Sequence, residues 1–277
     1  MKRNIIYLLG GLLLLFTACD PITDDNAIGD LVPQTDFKYS ITQDPTNDYI
    51  VYVKNETPEV LFKWNSGWET SYQQNDTMII PIAGNAPIKI TAVTAGGLVD
   101  FQVDLTVNDQ KPDAFSEPYW AQLTNLGDGK TWVWDNTKSA VWGNGGYKGC
   151  NAPCWWQVSY ADMAGQEAQN DEMELKLSGG YQLTLTAQKY PSAGTTIGSF
   201  VLDMSSTIGT WSIGKLKTQE VIIPKGVNVN NNNMPFYEYD IMTLNENEFV
   251  LSAPEGGAGA GDWSTAWFWQ FKPKAGK

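Results

Sequence analysis

The chain contains no histidine. That removes Ser-His-Asp and Cys-His chemistry and any His-ligated zinc site. Positive charge is scarce: 18 Lys and Arg stand against 31 Asp and Glu, a formal net charge of −13 over 277 residues. A phosphate backbone is held by clustered Lys and Arg, so this balance argues against nucleic acid as a partner. Cysteine is limited to three residues. The apolar run at residues 5–16 has signal-peptide length and is too short to span a bilayer. Aromatics, in contrast, are abundant: twelve Trp, twelve Tyr and ten Phe. The apolar fraction of 42% supports a core, and the length suggests two domains.

Lys2 and Arg3 precede the apolar run, which ends in Phe16, Thr17, Ala18 and Cys19. Small residues just before a cysteine resemble a bacterial lipobox, and the resemblance implies cleavage before Cys19 and lipidation of that residue. An ordinary secretory signal with an incidental cysteine is the alternative. Loss of residues 1–18 removes both early cations and leaves 16 basic against 31 acidic residues. Residues 19–35 read as a lipidated tether, acidic through Asp20, Asp24, Asp25 and Asp30 and without apolar periodicity. Acidic residues after a lipidated cysteine resemble the surface-export signal of lipoproteins in Gram-negative glycan degraders. The implied location is the outer membrane, facing the cell exterior.

Cys150 and Cys154 remain. In an exported chain they are expected to form a small-ring disulfide worth roughly 2 kcal/mol, with two free thiols as the alternative. A redox site fails on spacing, and a metal site lacks further ligands.

The fold class reads as all-β, in two units. Residues 36–108 alternate apolar and polar positions in short runs, with strands expected at 49–53, 77–82, 88–93 and 99–107. The pattern of Asn55, Thr57, Pro58, Trp64, Gly67, Asn75, Asp76, Pro81, Gly84, Gly96 and Gly97 resembles PKD-type Ig-like domains. It implies a small sandwich with Trp64 in its core. Residues 109–117 read as a linker.

Residues 118–277 read as an antiparallel barrel or jelly-roll-like sandwich of about eight to ten strands. Strands are expected at 131–134, 155–160, 173–177, 181–186, 198–202, 209–213, 220–224, 237–244, 248–252 and 266–271, with one short helix within 161–170. The order of Gly127 to Asp135, Pro153 to Trp156, Asp171 to Leu175, Tyr239 to Leu251 and Trp267 to Phe271 resembles the C-terminal, lipocalin-like domain of PKD-containing lipoproteins from Sus-type polysaccharide utilisation loci. That resemblance implies glycan binding beside a SusC/SusD-like transport pair, but carries over no binding residues.

Several motifs are better explained blandly. Residues 127–131 look like the end of a P-loop, but Thr124 stands where its first glycine belongs and a strand follows. The Gly-rich run 255–262 is expected to be a mobile loop. Asn228 to Asn233 form a polar loop, weak as a Ca²⁺ site. Glu172 and Glu174 share a strand face at a spacing compatible with a retaining glycosidase, without a supporting motif. No cofactor or metal is implied.

Ten of the twelve tryptophans lie at or after residue 120. Trp132 and Trp134 share one strand face, and Trp267, Trp269 and Phe271 another. These, with Trp211, are expected in the core. Trp142, Tyr147, Trp155 and Trp263 sit in or beside Gly/Asn-rich segments where burial is not forced. They are the candidate platform for a pyranose, with Asn144, Asp135 and Asp262 as candidates for sugar hydroxyls. Trp156 fits either role. The leading function is a cell-surface glycan-binding lipoprotein. A glycoside hydrolase using a carboxylate pair and a non-catalytic accessory lipoprotein are the alternatives.

Overall fold

The computed structural model describes residues 29–227, 235–256 and 259–276. The signal peptide, Cys19, most of the tether and the loop from Asn228 to Asn233 lie outside the described residues.

The N-terminal unit has nine strands: β1 (Tyr39–Gln43), β2 (Ile50–Asn55), β3 (Leu61–Asn65), β4 (Thr70–Ser71), β5 (Asn75–Ile79), β6 (Gly84–Asn85), β7 (Ile88–Thr94), β8 (Gly97–Val103) and β9 (Thr106–Val107). A three-stranded sheet, β1-β2-β5, faces a four-stranded sheet, β4-β3-β7-β8, while β6 and β9 pair separately. Period-two patterning builds the sandwich. Val51 and Val53 from one sheet meet Phe62, Trp64, Ile88, Ile90 and Ala92 from the other. Trp64 is fully buried, and its indole N–H donates to the Gln73 carbonyl at 3.0 Å.

The C-terminal unit contains α1 (Pro118–Thr124), β10 (Lys130–Trp134), β11 (Trp142–Gly146), β12 (Trp156–Val158), α2 (Asp162–Gly165), β13 (Glu172–Lys176), β14 (Gln182–Ala187), β15 (Gly194–Asp203), β16 (Gly214–Gln219), β17 (Glu238–Leu244), β18 (Phe249–Pro254) and β19 (Thr265–Pro273). Strands β13 to β19 form an antiparallel meander, and β10 closes it by pairing with both β13 and β19. The result is a closed eight-stranded barrel, not a jelly roll. β19 has a second role. Its last residues pair with β10, and its first half pairs with β11, which carries β12 on its outer edge.

Aromatic side chains fill the barrel. Trp132, Trp134, Tyr239, Phe249, Trp267, Trp269 and Phe271 are buried together. Trp134 stacks on Phe271 at 4.9 Å, and Trp132 lies 5.2 Å from Phe249. An eight-stranded barrel has an interior that such side chains can fill. α1 covers the end near the start of β10, where the Trp132 indole donates to the Leu123 carbonyl at 2.9 Å. The β16–β17 connection runs across the other end with Val221, Ile222 and Ile223 buried.

Three local expectations change. Residues 220–224 form no strand: Glu220 has φ +65°, and Val221, Ile222 and Ile223 are buried across the barrel end with no ladder partner. Residues 209–213 form turns with one isolated bridge, Ile208 to Ser212. Of residues 161–170, only Asp162–Gly165 is helical. The expected linker is also not a free spacer. Phe115 packs between Trp68 of the N-terminal unit, at 5.4 Å, and Trp120, at 4.9 Å, while Tyr181 lies 4.9 Å from Trp68. Beside this cluster the two backbones touch. A β-carbon on Gly67 would fall 2.1 Å from the Gly179 carbonyl oxygen.

Candidate functional site

The Gly/Asn-rich segment after Trp142 is a strand, and its glycines admit close neighbours. A β-carbon on Gly143 would meet the Trp156 carbonyl oxygen at 2.0 Å, and one on Gly145 would meet Cys154 Sγ at 2.6 Å. Gly146 and Gly149 lie under the Trp263 ring, each leaving only 2.5 Å between a built β-carbon and the indole. Trp263 is pinned there by its backbone N–H, which donates to the Tyr147 carbonyl at 2.8 Å. Cys150 and Cys154 are bonded, with S–S 2.01 Å and Cα–Cα 6.3 Å. The Cys154 and Trp155 N–H groups both donate to the Asn144 carbonyl, so the ring is tied to β11.

The seven candidate residues separate into two groups. Trp142 is fully buried and stacks on Trp267 at 5.2 Å. It pairs opposite Trp269, so β11 extends the barrel core, and Trp142 is not part of a surface platform. Asp135 is buried, and its Oδ1 accepts the backbone N–H and hydroxyl of Thr137, which makes it a turn residue. Tyr147 is also buried, and its hydroxyl donates to Asp240 Oδ2 at 3.0 Å. Burial, then the Asp240 charge, pushes the Tyr147 phenol well above its ordinary pKa. These three are removed from sugar contact by burial and by internal partners.

Trp155 and Trp263 are different, at 52% and 61% exposed. Asp262 is exposed and pairs with Lys148 at 3.2 Å. Asn144 Oδ1 accepts the Trp156 N–H at 3.0 Å, leaving its amide N–H₂ as the polar group to offer. Trp156 joins the exposed set at 38%, with its ring 5.3 Å from buried Trp142 and 6.0 Å from Trp267. A core stack thus continues to the surface through Trp156. The exposed indoles of Trp155, Trp156 and Trp263 all stand on or against the glycine-lined, disulfide-braced segment, and Asn144, Lys148 and Asp262 are its polar groups. It lies toward the barrel end opposite α1, since β11 pairs with the first half of β19.

A small outer cluster supports this base. Tyr147, Cys150, Ala266 and Phe268 are buried together, with Trp211 packed against them. Trp211 lies 5.0 Å from Tyr147, and its indole donates to the Cys150 carbonyl at 2.9 Å. Below it, Asp240 also sits 3.2 Å from Lys215.

No family model and no curated protein matches the chain. Among solved structures, a chain described as "Structural basis for the promiscuous specificity of the carbohydrate-binding modules from the beta-sandwich super family" is similar over 86% of this chain and 90% of that chain. The identity is 12% and the TM-score 0.23, a likeness too slight to carry an argument. The fold assignment rests on strand pairing.

The carboxylate pair does not gain from the structure. Glu172 lies on the barrel exterior, and its carboxylate accepts from Lys274 at 2.6 and 2.8 Å. Among the described residues, no group of three or more His, Cys, Asp or Glu could hold a metal ion. One buried acid lies outside the candidate residues. Asp171 is fully buried, and burial pushes its carboxyl up to about 6, against a hydrogen bond from the Gln188 N–H.

Proposed function

We propose that the protein is a glycan-binding lipoprotein of the outer membrane, anchored through Cys19 and facing the cell exterior. Its PKD-like and lipocalin-like units would hold polysaccharide for a SusC/SusD-like transport pair. The observation that carries the binding reading is the exposure of Trp155 and Trp263 on a rigid base. An exposed indole offers a large apolar face with a polar N–H, and a fixed ring loses little conformational entropy when a pyranose packs on it. Lys148, Asp262 and Asn144 supply hydrogen bonds at the margin. The acidic chain suits a neutral glycan better than a polyanionic one.

Affinity gel electrophoresis across neutral plant, algal and host polysaccharides tests the proposal. Retardation in at least one gel is expected. Uniform free migration across the panel would remove the binding reading.

A further inference from the structure

The outer face of the four-stranded N-terminal sheet carries an exposed apolar row. Leu61 on β3 pairs with Val93 on β7, and Val93 pairs with Leu98 on β8. Leu31 lies beside them, its Cδ2 3.8 Å from where a β-carbon on Gly97 would stand. The four side chains are between 44% and 64% exposed. On the same face the next rows are polar: Lys63, Thr91 and Asp100, then Asn65, Lys89 and Gln102.

The position of this row matters. β3 begins at Leu61, and beyond its other end Gly67 meets the barrel unit. The row therefore marks the pole of the N-terminal unit opposite the barrel. The chain enters the unit at that same pole. A β-carbon on Gly96, in the β7–β8 turn, would fall 2.2 Å from the Asp30 carbonyl oxygen. From Gly29 back to Cys19 the chain can reach at most about 35 Å.

We infer that this pole rests on a lipid bilayer. Leu31, Leu61, Val93 and Leu98 enter the boundary between headgroups and acyl chains of the membrane that holds Cys19. The barrel, with Trp155 and Trp263, then faces away from the membrane. The inference rests on the lipid anchor of the proposed function. Single exposed apolar residues are ordinary, but a contiguous row at the point of chain entry matches a shallow membrane contact. In the row behind, the Thr91 hydroxyl donates to Asp100 at 2.6 Å, which engages that carboxylate. Lys63 and Lys89 stand behind the row, where their long stems can extend toward lipid phosphates.

The test uses the full lipidated protein in vesicles of phosphatidylethanolamine and phosphatidylglycerol with brominated acyl chains. An environment-sensitive fluorophore is placed at Leu98→Cys or, as a control on β15, at Val201→Cys. Quenching several-fold stronger at position 98 than at position 201, with a blue shift, is the expected result. Equal and weak quenching in protein that stays vesicle-bound overturns the docking while leaving the anchor intact. A blue shift at position 98 in native membranes but not in protein-free vesicles also overturns it, in favour of a protein partner. Failure of the anchor is read separately, as protein that does not sediment with vesicles.

Discussion

The indole of Trp263 lies against Gly149 so closely that a β-carbon there would fall 2.5 Å from the ring. The glycine is not needed for its backbone conformation, because its φ lies outside the left-handed region. It is needed for space. Gly149→Ala should lift or rotate Trp263 while leaving the barrel folded. Glycan affinity, measured by titration calorimetry, is expected to fall by about tenfold, or about 1.4 kcal/mol. The circular dichroism spectrum should not change.

The Cys150–Cys154 ring closes a short loop, so its effect on the unfolded chain is modest. Reduction, or the double change to Ala, should lower stability by about 2 kcal/mol in chemical denaturation. Affinity for glycan should fall as well, because Trp155 follows directly after the ring. A variant with unchanged stability and affinity would show that β11 alone holds the base.

The interface between the two units predicts coupled unfolding. Trp68 is partly buried against Phe115 and Tyr181, so Trp68→Ala should cost up to about 3 kcal/mol. Gly67→Ala should act more sharply, since the new methyl group meets the Gly179 carbonyl and Gly67 has φ +83°. Calorimetry should resolve one transition in the wild type into two in either variant.

Asp171 predicts a pH dependence with a defined sign. Its carboxyl rises from 3.8 to about 6 on folding. Between those values the folded state holds more protons than the unfolded state, so stability falls as pH rises. Asp171→Asn removes this penalty and should stabilise the protein at pH 7.5 by about 1–3 kcal/mol. The advantage should shrink below pH 4. Denaturant midpoints at the two pH values provide the comparison.

Period-two patterning made much of the C-terminal unit legible. Trp132 and Trp134, and Trp267, Trp269 and Phe271, sit inside the barrel as their alternation implied. Trp142 is buried against expectation, because the glycines on its C-terminal side suggest an open loop. Those glycines instead make room for Cys154, Trp156 and Trp263. Barrel closure was not legible either, since Trp134 and Phe271 are far apart in sequence and no local signal pairs them. The run from Val221 to Ile223 resembles a strand for the same reason that it covers the barrel end: its apolar side chains are buried. Asp135 looked like a surface ligand, but its short polar side chain serves the turn that follows β10.

The most direct test of the account compares wild type with Trp155→Ala, Trp263→Ala and the double variant in calorimetric titrations with oligosaccharides from any glycan that retards the wild type. Each single change should weaken binding by about tenfold or more, consistent with loss of one aromatic sugar contact. The double change should abolish binding without altering the melting temperature, because both rings are largely exposed. Wild-type affinity in the double variant would contradict the account.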